Sequence, residues 1–166
     1  MSKNIVLIGM PAVGKSTIGV VVAKRLGYEF IDTDLLIQKQ EERLLKDIIQ
    51  EEGIEGFLAI ENQVNRDVQV EKAVIAPGGS VVYCEEAMKK FKETSIIVYL
   101  KVKYEIIESR ISNAANRGVI LKGGQTLEML YNERAILFEQ YADVTVVEDE
   151  KTVTETIEDV LNALSI

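Results

Sequence analysis

One short stretch near the N-terminus constrains the fold more than any other part of the chain. Residues 9–17, GMPAVGKST, match the pattern GxxxxGK[ST]. Four apolar residues precede the stretch at positions 5–8, as expected of a buried strand, and Ile18, Val22 and Leu26 follow it at helical spacing. The sequence therefore predicts a strand, a glycine-rich loop and a helix, in that order.

This loop predicts a phosphate-binding site. Its glycines allow successive backbone N–H groups to point into one concavity, and the start of the following helix adds its positive dipole end. A chance glycine turn is the alternative, which the flanking strand and helix disfavour. We expect Lys15 to bridge the β- and γ-phosphates of a nucleotide and Ser16 to supply an oxygen to Mg²⁺. The residues expected to hold the nucleotide are Gly9, Ala12, Val13, Gly14, Lys15, Ser16 and Thr17.

Four further runs of β-branched residues are separated by segments with helical spacing. They cover residues 28–32, 73–76, 95–100 and 143–148. Because apolar runs without alternation are typical of strands covered on both faces, they predict a parallel sheet with helical crossovers. The last helix should begin at the capping-box pattern of Thr152 and Glu155. We therefore predict a single α/β domain over residues 1–166, a three-layer P-loop NTPase-type sandwich around a five-stranded parallel sheet.

The amino-acid composition limits the classes of binding partner and catalytic site that this chain can have. The 166 residues include 19 Lys and Arg against 27 Asp and Glu, a net charge of −8, so a nucleic acid or an anionic membrane would be repelled on average. The chain has no histidine and one cysteine, Cys84, which excludes His-based zinc sites, His-based acid–base catalysis and an internal disulfide. The apolar run at 5–8 is too short for a signal peptide or a membrane span. We expect a monomeric cytoplasmic protein with no nucleic-acid or membrane partner.

Two acidic residues lie at the end of the second predicted strand: Asp32 is its last residue, and Asp34 follows two positions later. Asp32 and Asp34 would lie beside the phosphate loop if this strand is adjacent to the first. Phosphoryl transfer to a hydroxyl needs a held metal ion, an aligned hydroxyl and an acceptor for its proton, and two carboxylates can divide these roles. The alternative is a helix N-cap at Asp34 with Asp32 solvated. We favour the functional interpretation because the phosphate loop is predicted nearby.

Two glycine-containing segments are expected to border the same cleft. Residues 113–125 are rich in Asn, Gly and Ala and end in Gly123 and Gly124, which predicts a mobile lid with a glycine hinge; a plain surface loop is equally compatible. After the third predicted strand, Gly78 and Gly79 would bring the backbone close to a ligand or form a tight strand-to-helix turn.

The phosphate loop alone does not identify the reaction, because switch GTPases, nucleotide kinases and small-molecule kinases share it. A switch GTPase is expected to carry an NKxD motif, which this sequence lacks. A nucleoside monophosphate kinase usually has several arginines in its lid and acceptor site. Only Arg110, Arg117 and Arg134 are suitably placed here, so this interpretation has little support.

These segments together resemble the shikimate kinase family in their order and approximate spacing, over nearly the whole chain. The matching parts are the phosphate loop, Asp32 with Asp34, GFLAIE at 56–61, PGGS at 77–80, Arg117 and NERAILFEQYAD at 132–143. The resemblance implies a five-stranded P-loop kinase that uses ATP and Mg²⁺ to phosphorylate a ring hydroxyl of shikimate.

The resemblance also implies roles on the nucleotide side. Lys15 and Ser16 would serve the nucleotide and the metal, and Asp32 would belong to the metal environment. Arg117 would close from the lid onto the transferred phosphate, and Arg110 would lie near the adenine. Solvated helix charges are the alternative for the arginines, and for Arg110 this alternative has nearly equal weight.

On the acceptor side, the resemblance assigns four residues. Asp34 would contact the acceptor hydroxyl, and Arg134 would meet the carboxylate of the substrate. Gly78 and Gly79 would form the floor of the pocket.

The acceptor side also departs from the family pattern. Relatives usually carry an arginine directly after the phenylalanine of GFLAIE, where it anchors the shikimate carboxylate, but this chain has Leu58. Helical projection places Leu58 on the face of Glu61, so both are candidate substrate residues. A charge-assisted hydrogen bond is worth about 1.5–3 kcal/mol, so its loss would weaken shikimate binding about tenfold or more. Pro77 replaces a usual glycine and removes one N–H donor, and the lid lacks the proline that usually follows its arginine.

We therefore expect an ATP- and Mg²⁺-dependent kinase acting on a hydroxyl of a small molecule, with shikimate as the default acceptor. One alternative is a kinase for another hydroxylated compound, with Leu58 against an apolar portion and Arg134 still binding an acid. A conservative core role for Leu58, with Arg66 as a distant substitute cation, is also open. A regulatory nucleotide-binding protein is a third alternative, which intact Asp32, Asp34 and Arg117 disfavour.

Overall fold

The computed structural model describes residues 3–112 and 121–165, in which five strands form one parallel sheet. The strands are β1 (Asn4–Ile8), β2 (Glu29–Asp32), β3 (Ala73–Ala76), β4 (Ser95–Lys101) and β5 (Val144–Val147). Each coincides with one of the predicted apolar runs, which confirms the parallel α/β prediction. Every residue of β1 and β3 is buried, as expected for strands that are covered on both faces.

The strand order is β2-β3-β1-β4-β5, so β3 lies between β2 and β1. Ile75 pairs with Val6 of β1 on one side and with Ile31 of β2 on the other. The assumption that the second strand is adjacent to the first is therefore wrong. Because all five strands are parallel, their carboxyl ends still meet at the same edge of the sheet, where ligands bind in open α/β folds.

Helices cover the faces of this sheet. In the described part of the chain they are α1 (Lys15–Leu26), α2 (Thr33–Glu41), α3 (Leu45–Arg66), α4 (Glu85–Thr94), α5 (Tyr104–Ser112), α6 (Leu127–Tyr141) and α7 (Val153–Ala163). The predicted capping box of α7 is present: the Thr152 hydroxyl accepts from the Glu155 N–H at 3.2 Å, and the Glu155 carboxylate accepts from the Thr152 N–H at 2.7 Å. Within these helices, none is long and apolar enough to cross a membrane.

Helices α2 and α3 form a wall at the carboxyl edge of the sheet. Phe57 and Val64 of α3 are buried in a small apolar cluster with Ile37 and Ile48. Gly53 interrupts α3 with a φ of 73° and a ψ of 179°, which only glycine adopts readily. The α3 wall is therefore built from two helical segments joined at a glycine.

The predicted lid at 113–125 is described only in its last five residues. Residues 113–120, which include Arg117, lie outside the described residues, so the lid and the role of Arg117 stay predictions. In the described portion, Gly124 has a φ of 77°, a backbone conformation that suits glycine.

Candidate active site

The loop between β1 and α1 has the backbone shape that its glycines predict. Gly14, whose φ is 99°, directly precedes the first residue of α1, Lys15. At Gly9, a Cβ atom would lie 2.8 Å from the carbonyl oxygen of Leu100, so a larger residue would require the backbone to move. Ala12 also has a positive φ, 65°, which is uncommon for a residue with a side chain. Because the first turn of α1 contains no acidic side chain, its positive end can bind an anion.

Lys15 lies across this loop. Its Nζ donates hydrogen bonds to the carbonyl oxygens of Gly9 at 2.8 Å and Met10 at 2.9 Å. Burial lowers the pKa of Lys15 to about 8, although the nearby Asp34 carboxylate opposes this shift. A phosphate beside Nζ would favour the charged ammonium for the same electrostatic reason, so the position suits the predicted phosphate contact.

Asp32 connects the end of β2 with the loop. Its Oδ1 accepts hydrogen bonds from the N–H groups of Asp34 at 2.9 Å and Leu35 at 3.3 Å, and so caps α2. The alternative that Asp34 is the helix cap is therefore wrong. Oδ2 of Asp32 accepts a hydrogen bond from the Ser16 hydroxyl at 3.2 Å. Oδ2 of Asp32 and the Ser16 hydroxyl oxygen suit Mg²⁺, which proteins bind through one or two side chains together with phosphate and water oxygens.

A cleft of about 1080 Å³ opens at this edge of the sheet. The phosphate loop, the α2–α3 wall, the turn after β3 and one residue of α6 border it. The predicted site residues that line it are Ala12, Gly14, Lys15, Ser16, Thr17, Asp32, Asp34, Glu61, Gly78, Gly79 and Arg134. Gly9 and Val13 of the loop do not line it, and Val13 is buried. The structure thus brings most of the predicted nucleotide and acceptor residues into one cleft, whereas Leu58 and Arg110 do not line it.

Two carboxylates converge on the turn after β3. A Cβ atom on Gly78 would lie 2.9 Å from Oδ1 of Asp34 and 3.0 Å from Oε2 of Glu61. Burial and the neighbouring charge of Asp32 raise the pKa of Asp34 to about 6. Burial also raises the pKa of Glu61, which has no exposed surface, to about 7. Its Oε1 accepts a hydrogen bond from Ser80 at 2.7 Å, whereas Oε2 has no hydrogen-bond partner among the described residues.

Arg134 projects from α6 into the same region, with only 3% of its surface exposed. Its guanidinium carbon lies 5.4 Å from the centroid of the Tyr83 ring, an arrangement that favours the cation. A Cβ atom on Gly79 would lie 3.1 Å from Nη1 of Arg134, so the glycine leaves room for the guanidinium. In the described part of the chain, Nε of Arg134 has no hydrogen-bond partner. A buried cation with an unused donor is suited to binding an acid.

Leu58 is half-buried and lies beside the cleft instead of in its wall. On this side α3 contributes Phe57 and Glu61 to the cleft, so the contact of Leu58 with an acceptor stays a prediction. Leu58 lines a smaller space of about 80 Å³, which we call the Leu58 pocket; its walls include Ile54, Tyr83, Lys122, Leu130 and Arg134. Since Arg134 lines both spaces, the Leu58 pocket adjoins the cleft.

The other predicted arginines differ in their positions. Arg110 donates to the carbonyl oxygen of Ala12 at 3.1 Å and lies 3.4 Å from Glu148, so it adjoins the phosphate loop. Its contact with adenine stays a prediction. Arg66 is exposed and forms ion pairs of 3.0 Å with two carboxylates, so it does not replace the missing cation near Leu58.

Ser80 and Tyr83 contribute to the site, although neither was predicted as a site residue. Ser80 directly follows the two glycines of the turn, so its place near the cleft could have been inferred from the turn itself. Tyr83 lies in a short 3₁₀ turn, Val81–Tyr83, whose orientation depends on packing against α6. No local pattern indicates that packing.

The sequence matches one family over most of its length. A family model described as shikimate kinase matches residues 11–165. This chain belongs to the shikimate kinase family. Shikimate kinase from Rippkaea orientalis is 34% identical over 157 residues, which cover 93% of this chain and 83% of that relative. Shikimate kinase from Alkaliphilus oremlandii is 33% identical over 167 residues, which cover 97% of this chain and 98% of the relative.

A solved shikimate kinase structure agrees with this assignment. Shikimate kinase from Acinetobacter baumannii in complex with shikimate matches this chain with a TM-score of 0.91 and 26% identity, covering 99% of this chain and 94% of that one. The resemblance to shikimate kinases and the P-loop kinase fold are thereby confirmed. The protein is a kinase, an ATP phosphotransferase of the shikimate kinase type.

Proposed function

We propose that this protein transfers the γ-phosphoryl group of ATP to a ring hydroxyl of shikimate, forming 3-phosphoshikimate. The observation that carries the proposal is the one cleft that contains the phosphate loop, Asp34 and Arg134. These provide, in turn, a phosphate site, a carboxylate for the hydroxyl and a buried cation for the acid of the substrate. Family membership and the solved relative with bound shikimate support the same acceptor.

On the nucleotide side, Lys15 and the loop backbone bind the phosphates. ATP supplies the transferred group, and Mg²⁺, when bound, neutralises charge on the phosphate oxygens. Ser16 and Asp32, whose side-chain oxygens lie 3.2 Å apart, would hold the ion. Arg117 is assigned to the transferred phosphate and Arg110 to the adenine by their places in the family pattern.

On the acceptor side, Asp34 orients the hydroxyl and accepts its proton. With a pKa of about 6, Asp34 is largely ionised at pH 7. Because this pKa is close to the working pH, the carboxylate is also basic enough to accept a proton during transfer. The nearby positive charge of Lys15 favours this ionised form. Gly78 and Gly79 leave their backbone exposed to the substrate, and Arg134 binds its carboxylate.

A second candidate is a kinase for a different small hydroxylated acid. The observation in its favour is Leu58, which gives the region next to Arg134 an apolar surface where family members usually carry a cation. An acceptor with an apolar group beside its acid would gain contact there.

The two candidates can be separated by following ADP release with purified protein, MgATP and a panel of hydroxylated acceptors that includes shikimate. We expect saturable turnover with shikimate, and a loss of about 100-fold or more in kcat for Asp34→Asn, because the proton acceptor is removed. A much higher kcat/KM with another acceptor would support the second candidate. The absence of any acceptor-dependent turnover would contradict both.

Leu58→Arg tests the role of this position directly. A guanidinium there would add a charge-assisted hydrogen bond for the substrate carboxylate, so we expect the KM for shikimate to fall about tenfold. Leu58→Met, which keeps an apolar side chain of similar size, serves as the control and should change the KM little. Unchanged or weaker shikimate binding by Leu58→Arg would show that Leu58 does not limit affinity.

A further inference from the structure

The Leu58 pocket is lined by two cationic residues without a protein counter-ion. Lys122 and Arg134 both border it, and neither forms an ion pair within residues 3–112 and 121–165. Glu133 is the one carboxylate residue among its described walls. Its oxygens accept hydrogen bonds from the Tyr83 hydroxyl at 2.5 Å and the Gln125 amide at 3.4 Å. Neither cation is therefore paired directly with a described carboxylate, although Arg134 also interacts over a longer distance with the buried Glu61.

The other features of the Leu58 pocket favour the binding of an anion beside these two cations. Ile54, Leu58 and Leu130 give it an apolar surface, beside which a charge pair interacts more strongly than in open water. Arg134 is buried and retains an unused Nε donor among the described residues, whereas Lys122 is exposed and can adjust its position. The volume of about 80 Å³ suits a group of the size of a carboxylate.

We propose that Lys122 supplies the second cation for the carboxylate of the acceptor, on the side of the pocket shared with Arg134. Lys122 thereby takes over the function of the arginine that is absent at position 58. The inference rests on the proposed function, because it requires an acceptor that carries an acid. In this proposal Lys122, which precedes α6, helps to determine acceptor specificity, whereas the arginine usual in the family lies on α3.

Lys46 offers a matched comparison within the same site. It is an exposed lysine at the start of α3 and lines the main cleft, but it does not border the Leu58 pocket. If any lysine near the cleft helped an anionic acceptor by long-range attraction alone, Lys46 and Lys122 would contribute similarly. If Lys122 instead contacts the acceptor carboxylate directly, only the loss of Lys122 should weaken binding.

The test measures binding of shikimate and of its uncharged methyl ester to the wild-type protein, Lys122→Met and Lys46→Met by titration calorimetry. We expect Lys122→Met to weaken shikimate binding about tenfold and to leave binding of the ester unchanged, while a parallel ADP-release assay should give an unchanged KM for ATP. Lys46→Met should bind both compounds as the wild type does. If the two cations are interchangeable, Leu58→Arg should strengthen shikimate binding more in the Lys122→Met background than in the wild type.

The possible failures have different meanings. If the wild type binds shikimate and Lys122→Met binds it equally well, or if the lysine change weakens the acid and the ester alike, the role of Lys122 is refuted and the proposed function stands. An equal loss in Lys46→Met would also refute it, in favour of long-range attraction. If the wild type does not bind shikimate, the proposed function and this inference both fail.

Discussion

At the scale of single residues, Glu61 is a carboxylate enclosed by the protein, and no cation among residues 3–112 and 121–165 is bonded to it. Its side chain has no exposed surface, and its hydrogen bonds come from neutral groups, the hydroxyl of Ser80 and the thiol of Cys84. Burial of an ionised carboxylate costs free energy, which explains the raised pKa. The buried charge of Glu61 therefore affects the stability of the fold as well as the acceptor side of the cleft.

We predict that Glu61→Gln stabilises the protein at high pH. The folded-state pKa of Glu61 is about 7, above its ordinary value of 4.5, so the folded state binds more protons between these values and stability falls as the pH rises through this range. Glutamine carries no charge to bury. Thermal unfolding should show a melting temperature about 5 °C higher than wild type at pH 8, from about 2 kcal/mol, and little difference at pH 4.5.

An exposed neighbour on the same helix provides the control for this measurement. Glu55→Gln removes the same charge from the surface of α3 and should shift the melting temperature little at either pH. An equal difference between Glu61→Gln and wild type at pH 4.5 and pH 8 would mean that the effect is due to packing and not to charge.

Single residues of the nucleotide side were predictable because their chemistry is local. The spacing of Gly9, Gly14, Lys15 and Ser16 fixes the loop shape whatever surrounds it, and the structure has that shape. Leu58 was harder to place. Its face of α3 was predicted from helical periodicity, but which space that face borders depends on packing against α6, far away in the sequence.

At the scale of elements, the turn after β3 places backbone where side chains would obstruct the site. Gly78 and Gly79 leave space for the Asp34 and Glu61 carboxylates and for the Arg134 guanidinium. The turn therefore does more than connect a strand to a helix, which was the alternative interpretation of its sequence. It determines how closely the acceptor-side groups approach one another.

We predict that Gly78→Ala selectively impairs use of the acceptor. The added methyl group would lie 2.9 Å from Asp34 and 3.0 Å from Glu61, so at least one carboxylate must move. We expect kcat/KM for shikimate to fall about tenfold or more, since small displacements of reacting groups are costly. The KM for ATP, which depends on residues 9–17, should stay within about twofold and acts as the internal control. Normal shikimate kinetics would show that the turn tolerates a side chain.

Which helices and strands exist was more predictable from the sequence than how they are arranged in space. Each strand is a short apolar run that can be recognised locally, and the capping box of α7 is visible in four residues. The insertion of β3 between β1 and β2 was missed because strand order depends on contacts between distant segments. The interruption of α3 at Gly53 was also missed, because an isolated glycine within a helical pattern does not by itself indicate a break.

At the scale of the whole molecule, an acidic protein has to bind a polyanion. The net charge of −8 opposes the approach of ATP, so binding depends on the local field of the loop, the start of α1 and Lys15. Removal of that one cation should therefore have an effect that is out of proportion to its share of the total charge.

We predict that MgATP stabilises the wild-type protein and fails to stabilise Lys15→Met. A ligand at 100 times its Kd adds about 2.7 kcal/mol, which corresponds to a rise of about 5 °C or more in melting temperature for a protein of this size. Lys24→Met, an exposed lysine in the last turn of the same helix, removes the same charge and should retain the shift. Equal stabilisation of both variants by MgATP would exclude a specific phosphate contact by Lys15.

The contact between Arg134 and Tyr83 has a consequence for the cost of binding. The tyrosine ring lies against the guanidinium, and its hydroxyl bonds to Glu133, the neighbour of Arg134 on α6, so the long arginine side chain is held in place by its own helix and the 3₁₀ turn. Ordering such a side chain costs about 0.5–1.5 kcal/mol of conformational entropy. In this protein that loss occurs on folding, which leaves Arg134 preorganised before an acceptor arrives.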